Sequence, residues 1–427
     1  MSTATAQRNV PLDAPPDLPH PRDLGRIVRY EETCRRYGPD LVAKLTEYVG
    51  VGDELAYELL LTIRERDGFG WPDLHHALED GLPDDAPDTA KALFEQAEQV
   101  PDWVDWEQLR RGAIAFWRHG PIVMMALTSS LGRGFKAYAG MKPTIFTGRL
   151  IDEARVGRRL VETLRYIAAV TTPDAMRRDG DGWKFTVRLR MLHQSVRHGC
   201  SHAEAWDWKD WGLPVNATDN LTPELEFSVG LIDMLRQAGV EFDARERDDI
   251  VALWRYVGYV LGTPEEILPT SEHDARRKLA IIDSLNHPPD DTNRMMLHSL
   301  VGYASLHGIG YDPFPDWVAR WLTPERRKEL VYGLMYAWSG EEIAAQMEIP
   351  RNPYRHTLRL IKPAMRLRAR MTRRSPEADE RACRRMLEEF KAVTDVDRGE
   401  APLADPDEIA NEIRKRRQRL RQIFSRG

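Results

Sequence analysis

Two short segments carry the side chains best suited to chemistry. The first is Thr186–His198, TVRLRMLHQSVRH, with three arginines and two histidines set among apolar residues. At about 100° per residue, Arg190, His193 and Arg197 fall on one arc of a helix, and Leu189, Leu192 and Val196 on the next. His193 then faces an apolar interior with a guanidinium to either side. Buried guanidiniums need anionic partners. Haem b is apolar in its middle and carboxylated at its rim. It would set iron on His193, its macrocycle on the apolar wall and its propionates on Arg190 and Arg197. A half-exposed helix face with salt bridges uses the same residues more simply, and this stretch alone leaves both uses open.

The second segment is ARVGRRLVETLRY, residues 154–166. Arg155, Arg159 and Thr163 repeat at i, i+4, i+8, with Glu162 beside Thr163. Facing a cavity, the Thr163 hydroxyl would orient a bound oxygen or water. Glu162, its pKa raised by burial, would shuttle protons. On an exposed face Glu162 pairs instead with Arg158 or Arg165. The residues by themselves favour the exposed arrangement.

The elements that must position these groups are helical. The chain has 427 residues, 42% hydrophobic and 30% charged, with a net charge of −6, a soluble composition that does not point to nucleic acid. Cys34, Cys200 and Cys383 lie far apart without a CxxC, so neither a disulfide framework nor a zinc site is indicated. The first 22 residues are Pro-rich and polar and read as disordered; they show no basic region followed by an apolar run, which points to a cytoplasmic protein.

Helical periodicity then runs through residues 41–61, 154–170, 224–237, 248–261, 270–285, 291–306, 325–338 and 354–371. Thr222-Pro223-Glu224 reads as a helix start with Pro in the first turn. Residues 72–106 hold ten Asp/Glu against Lys91 alone, the mark of a solvated face. Trp206, Trp208 and Trp211 read as packing anchors. No stretch alternates convincingly, and neither a GxGxxG nor a P-loop is present, so the fold class is all-α. We expect one domain over 23–372 and a charged helical tail over 373–427. Residues 408–427 carry seven Lys/Arg against two Glu, which suits either a solvated tail or peripheral membrane contact.

Together, RRLVET and RMLHQSVRH resemble the latex clearing proteins and the wider haem oxygenase family around them. In that pattern an Arg is followed four residues on by Thr, and the haem-ligating His comes thirty residues after the Thr. Arginines stand three residues before and four after that His. Arg159, Thr163, Arg190, His193 and Arg197 match every spacing. WVDWEQLRRG, FTGRL, WGLPVN and WRYVGYVLG add similarity over roughly residues 100–265.

The resemblance implies a globin-like helical core with additional helices, a b-type haem on His193, and Arg159 and Thr163 on the opposite face. It also implies O2 as co-substrate and an apolar unsaturated substrate. Two departures qualify it. Some relatives carry Lys where Glu162 stands, and residues 122–151 contain no Asp or Glu to act as the family's acidic base. An isoprenoid or other unsaturated small molecule is therefore the expected substrate, cleaved at a C=C bond. A haem enzyme of another reaction type, or a haem sensor or carrier, remains the alternative.

Overall fold

Apolar residues at helical spacing turn almost every described segment into helix. The structure, a computed structural model, describes residues 11–65, 68–146, 153–307, 322–372 and 375–394. Among them are eighteen α-helices and no strand; Ile27 and Asn286 form one isolated bridge.

A first group comprises α1 (Tyr30–Tyr37), α2 (Pro39–Glu47), α3 (Glu54–Glu65), α4 (Trp71–Asp80) and α5 (Asp88–Glu98). The acidic run falls on α4, α5 and their flanks, whose buried faces are Leu74, Ala77, Leu78, Ala90, Leu93 and Phe94, as a solvated face requires. Next come α6 (Trp106–Trp117), α7 (Pro121–Gly134), α8 (Lys142–Phe146), α9 (Glu153–Val170) and α10 (Asp181–Ser201). The second half holds α11 (Ala217–Leu225), α12 (Leu231–Gln237), α13 (Ala244–Leu261), α14 (Glu272–Leu285) and α15 (Asp291–His307). The last three are α16 (Pro324–Gln346), α17 (Thr357–Thr372) and α18 (Pro376–Thr394).

The hairpin of α9 and α10 matters most for function. Leu160, Leu164, Ile167 and Ala168 bury one stripe of α9. The chain turns through residues 171–180 and re-enters helix at Gly180, where α10 starts hard against the end of α9. A Cβ on Gly182 would lie 2.7 Å from the Ala169 carbonyl, so no side chain fits this crossing. Tyr166 then meets Phe185 edge-on at 5.4 Å between ring centroids. Trp183 anchors the hairpin by donating from Nε1 to the Ala97 carbonyl of α5. On its other sides α10 packs against α3 and α13, and α13 crosses α6.

Three expectations need correction. Residues 11–22 are not disordered: Pro11 is buried and Asp13 reaches a buried guanidinium. The charged tail does not start at 373, because Cys383, Met386, Leu387 and Phe390 of α18 enter the main core, with Phe390 against Trp117 at 5.6 Å. Pro223 does not start a helix. Asn216 caps α11 by accepting from the Asp219 N–H, so Pro223 sits inside the helix, and a π-helical turn follows at Glu226–Gly230. The basic stretch 408–427 and residues 147–150 of FTGRL lie outside the described residues.

Candidate functional site

The hairpin explains the sequence spacing. The register that sets Tyr166 on Phe185 carries Thr163 toward Leu189, one turn along, and Arg159 toward His193, two turns along. Helix geometry alone thus converts the separation of Thr163 and His193 into an approach across two antiparallel helices. Thr163, Tyr166, Phe185, Leu189 and His193, on the facing sides of α9 and α10, are all only half-buried.

His193 has a buried Nδ1 with no hydrogen-bond partner among the described residues. Burial, then the Arg159 charge, pushes its pKa down to about 4 against the opposing pull of Asp53. The ring is therefore neutral at pH 7, the form that binds metals. Among the described residues no group of three or more His, Cys, Asp or Glu is placed to hold a bare metal ion. A macrocycle-held iron needs one protein ligand. A neutral, half-buried imidazole with no hydrogen-bond partner at Nδ1 fits that need.

On α9, the Thr163 hydroxyl donates to the Arg159 carbonyl at 2.9 Å, leaving its lone pairs to face outward. Arg159 sits 3.7 Å from Glu162, and their side chains are 30% and 38% exposed. Glu162 is thus a partly solvated ion-pair partner of Arg159, a pairing that sequence spacing did not single out.

Arg190 and Arg197 share the arc with His193, but protein carboxylates occupy both. Arg190 forks onto Asp53 with Nε and Nη2 at 2.5 and 2.9 Å, and Nη1 donates to Gln96. Arg197 donates to Asp13 and Glu54 and lies over the Tyr57 ring at 4.4 Å. Both guanidiniums thus have carboxylates of the fold beside them where the sequence pointed to cofactor carboxylates, and Arg197 Nη1 is buried without a hydrogen-bond partner among the described residues. A guanidinium sealed from water requires an anion in the fold itself, and Asp13, Asp53 and Glu54 supply it. His198 is also inside the fold, with Nδ1 hydrogen-bonded to the Tyr57 hydroxyl at 2.9 Å.

Sequence reasoning missed Glu224. It is 3% exposed; Oε1 accepts from Thr263 at 2.9 Å, and Oε2 has no partner. Oε2 occupies the hollow of Gly258, where a Cβ would come within 2.2 Å. Burial raises its pKa to about 8, with the Thr263 bond opposing, and its charge bears on Tyr166 of α9. The apolar surroundings in LTPELEF were the available signal.

The helical body built on this hairpin is that of a known family of catalytic domains. The family described as "ER-bound oxygenase mpaB/B'/Rubber oxygenase, catalytic domain" matches residues 106–388, and the chain belongs to that family. A rubber oxygenase of Streptomyces sp. (strain K30) is 25% identical over 224 residues. The match takes in 52% of this chain and 54% of that protein, so the chain spans about half the length of the curated relative it matches. The structure of latex clearing protein LCP in the closed state has the same fold, with a TM-score of 0.54 at 18% identity, over 80% of this chain and 91% of that one.

Proposed function

We propose that this chain is a haem b-dependent oxygenase that cleaves a C=C bond of an isoprenoid or other unsaturated apolar substrate. The observation that carries the reading is His193. It is neutral, half-buried with Nδ1 sealed and unpartnered, and set at the family's ligand spacing across the hairpin from Arg159 and Thr163. When bound there, haem would supply the binding and activation of O2.

The chain's own residues supply the rest. His193 offers an unprotonated nitrogen at pH 7. Thr163, its proton committed to the Arg159 carbonyl, accepts a hydrogen bond from a water or hydroxyl held before it. Arg159 places a positive charge on the same side, tempered by Glu162. Tyr166, Phe185 and Leu189 give an apolar wall suited to a hydrocarbon chain. Both atoms of O2 end in the two carbonyl groups that replace the C=C bond, so the cleavage needs no external reductant. Arg190 and Arg197 act by fixing α10, and with it His193, rather than by touching cofactor.

The test is the visible spectrum of the purified protein. We expect a Soret band, and His193→Ala to lose haem by pyridine haemochrome while His198→Ala keeps it. A colourless protein after haem-supplemented expression, or equal loss in both variants, refutes the reading.

A further inference from the structure

Helix α17 presents an apolar stripe to solvent. Leu360, Leu367 and Met371 are 78%, 60% and 53% exposed, and Pro363 and Ala364 between them are exposed too. At 100° per residue these five positions share one arc about a quarter-turn wide. The opposite side of the helix already makes its core contact, since Leu358 is buried and Ile361 and Met365 pack against the interior. The stripe is therefore not a core face displaced outward. Isolated exposed apolar residues are ordinary, whereas an aligned set on one helix face marks a docking surface.

Charge names the partner. Residues 351–374 hold eight Arg and one Lys and no Asp or Glu, in a chain whose net charge is −6. Arg359 and Arg366 are exposed beside the stripe, and Arg366 meets Glu241 in an exposed pair at 3.4 Å. Desolvation and the charges of Arg355, Arg359 and Arg351 lower the His356 pKa, a local sign of concentrated positive potential. A helix with apolar residues on its outer face and cations beside them matches the two layers of an anionic bilayer surface: acyl chains for the stripe, headgroup phosphates for the cations. No helix among the described residues is long and apolar enough to cross a membrane, so contact would be peripheral. The chain's basic end, 408–427, has the same sign as α17 and does not complement it.

We infer that α17 is a membrane-docking helix that lays Leu360, Leu367 and Met371 into an anionic lipid surface, steered by Arg359 and Arg366. The inference needs no cofactor and stands whether or not the haem reading holds. If both hold, the docked face would bring the enzyme to a substrate dissolved in lipid.

Co-sedimentation of the full chain with vesicles tests it. We expect binding to phosphatidylglycerol–phosphatidylcholine vesicles, weaker binding at high salt, and little binding to pure phosphatidylcholine. Leu360→Glu with Leu367→Glu, and separately Arg359→Glu with Arg366→Glu, should each lower partitioning about tenfold or more. Circular dichroism should show unchanged helix content, since all four side chains are exposed. Neutralising Arg414, Lys415, Arg416 and Arg417 should leave most binding intact. The inference is overturned by equal binding to both vesicle types, or by loss of binding only in the variant neutralised at 414–417. It is also overturned by a dimer in light scattering that Leu360→Glu with Leu367→Glu dissociates, which would make the face a contact between copies. Binding that appears only after Asp395, Asp397, Glu400, Asp405 and Asp407 are neutralised would overturn it too, by showing that the chain covers its own helix.

Discussion

Glu162 and Glu224 are carboxylates in opposite surroundings. Glu162 is partly solvated and paired with Arg159. Removing its charge should cost no more than about half a kcal/mol of stability. The same change strengthens the Arg159 field on His193. Glu162→Gln should therefore move the Soret band or the pH profile of ligand binding in the haem-loaded protein, with thermal stability nearly constant. An unchanged spectrum across pH would remove Glu162 from the site. Glu224 has the converse signature. Its folded pKa of about 8 lies above the unfolded value of 4.5, so its stabilising share is full below the unfolded value and lost as pH rises through the folded one. Glu224→Gln stays neutral throughout. Denaturant unfolding should show near-equal stability around pH 5 and a more stable variant at about pH 9, by on the order of 3 kcal/mol. A variant less stable at both would show that the carboxyl makes contacts an amide cannot replace.

At the scale of the element, α10 is held by its arginines. The Arg190–Asp53 fork is sealed, with side chains 2% and 5% exposed. Removing one partner strands the other charge in a dry site, at a cost of about 3–5 kcal/mol. Arg190→Ala should therefore destabilise the protein by that order before any haem is added, as urea unfolding of haem-free protein would show. Normal stability with weakened haem binding would return Arg190 to the cofactor role that its spacing first suggested. The π-helical turn after α11 has a comparable anchor. Glu226 is buried there beside Arg133 and Lys136, whose charges outweigh burial and hold its pKa below the usual carboxylate value.

At the scale of the molecule, both ends of the described chain belong to the main body. Asp13 brings the N-terminal segment onto α10, and α18 lays Phe390 on Trp117 of α6. Phe390→Ala should lower stability by about 3–5 kcal/mol and leave a single cooperative transition by calorimetry. An independent tail would leave the main transition in place. Distributed anchoring of this kind means that substitutions at residue 13 or 390, far along the chain from the hairpin, act on the packing behind it.

What could be read from the sequence alone is what short-range geometry decides. Apolar spacing gave the all-α class and most helix spans, because the helical period is a local property of the backbone. The grouping of Arg159, Thr163 and His193 came from the family resemblance of their spacing, and the hairpin that lays α9 on α10 is seen only in the fold. The pairing of the arginines was not legible either. Arg190 meets Asp53 across 137 residues, and Arg197 meets Asp13 across 184. A buried cation announces that it needs an anion, but any of the chain's 67 Asp and Glu residues, or a ligand, would satisfy it. The burial of Glu224 was equally out of reach, because desolvation is set by how α11 packs against α13 and not by neighbours in sequence. Spacing along the chain thus located the candidate groups, while only the packed fold decided which of them are paired within the chain.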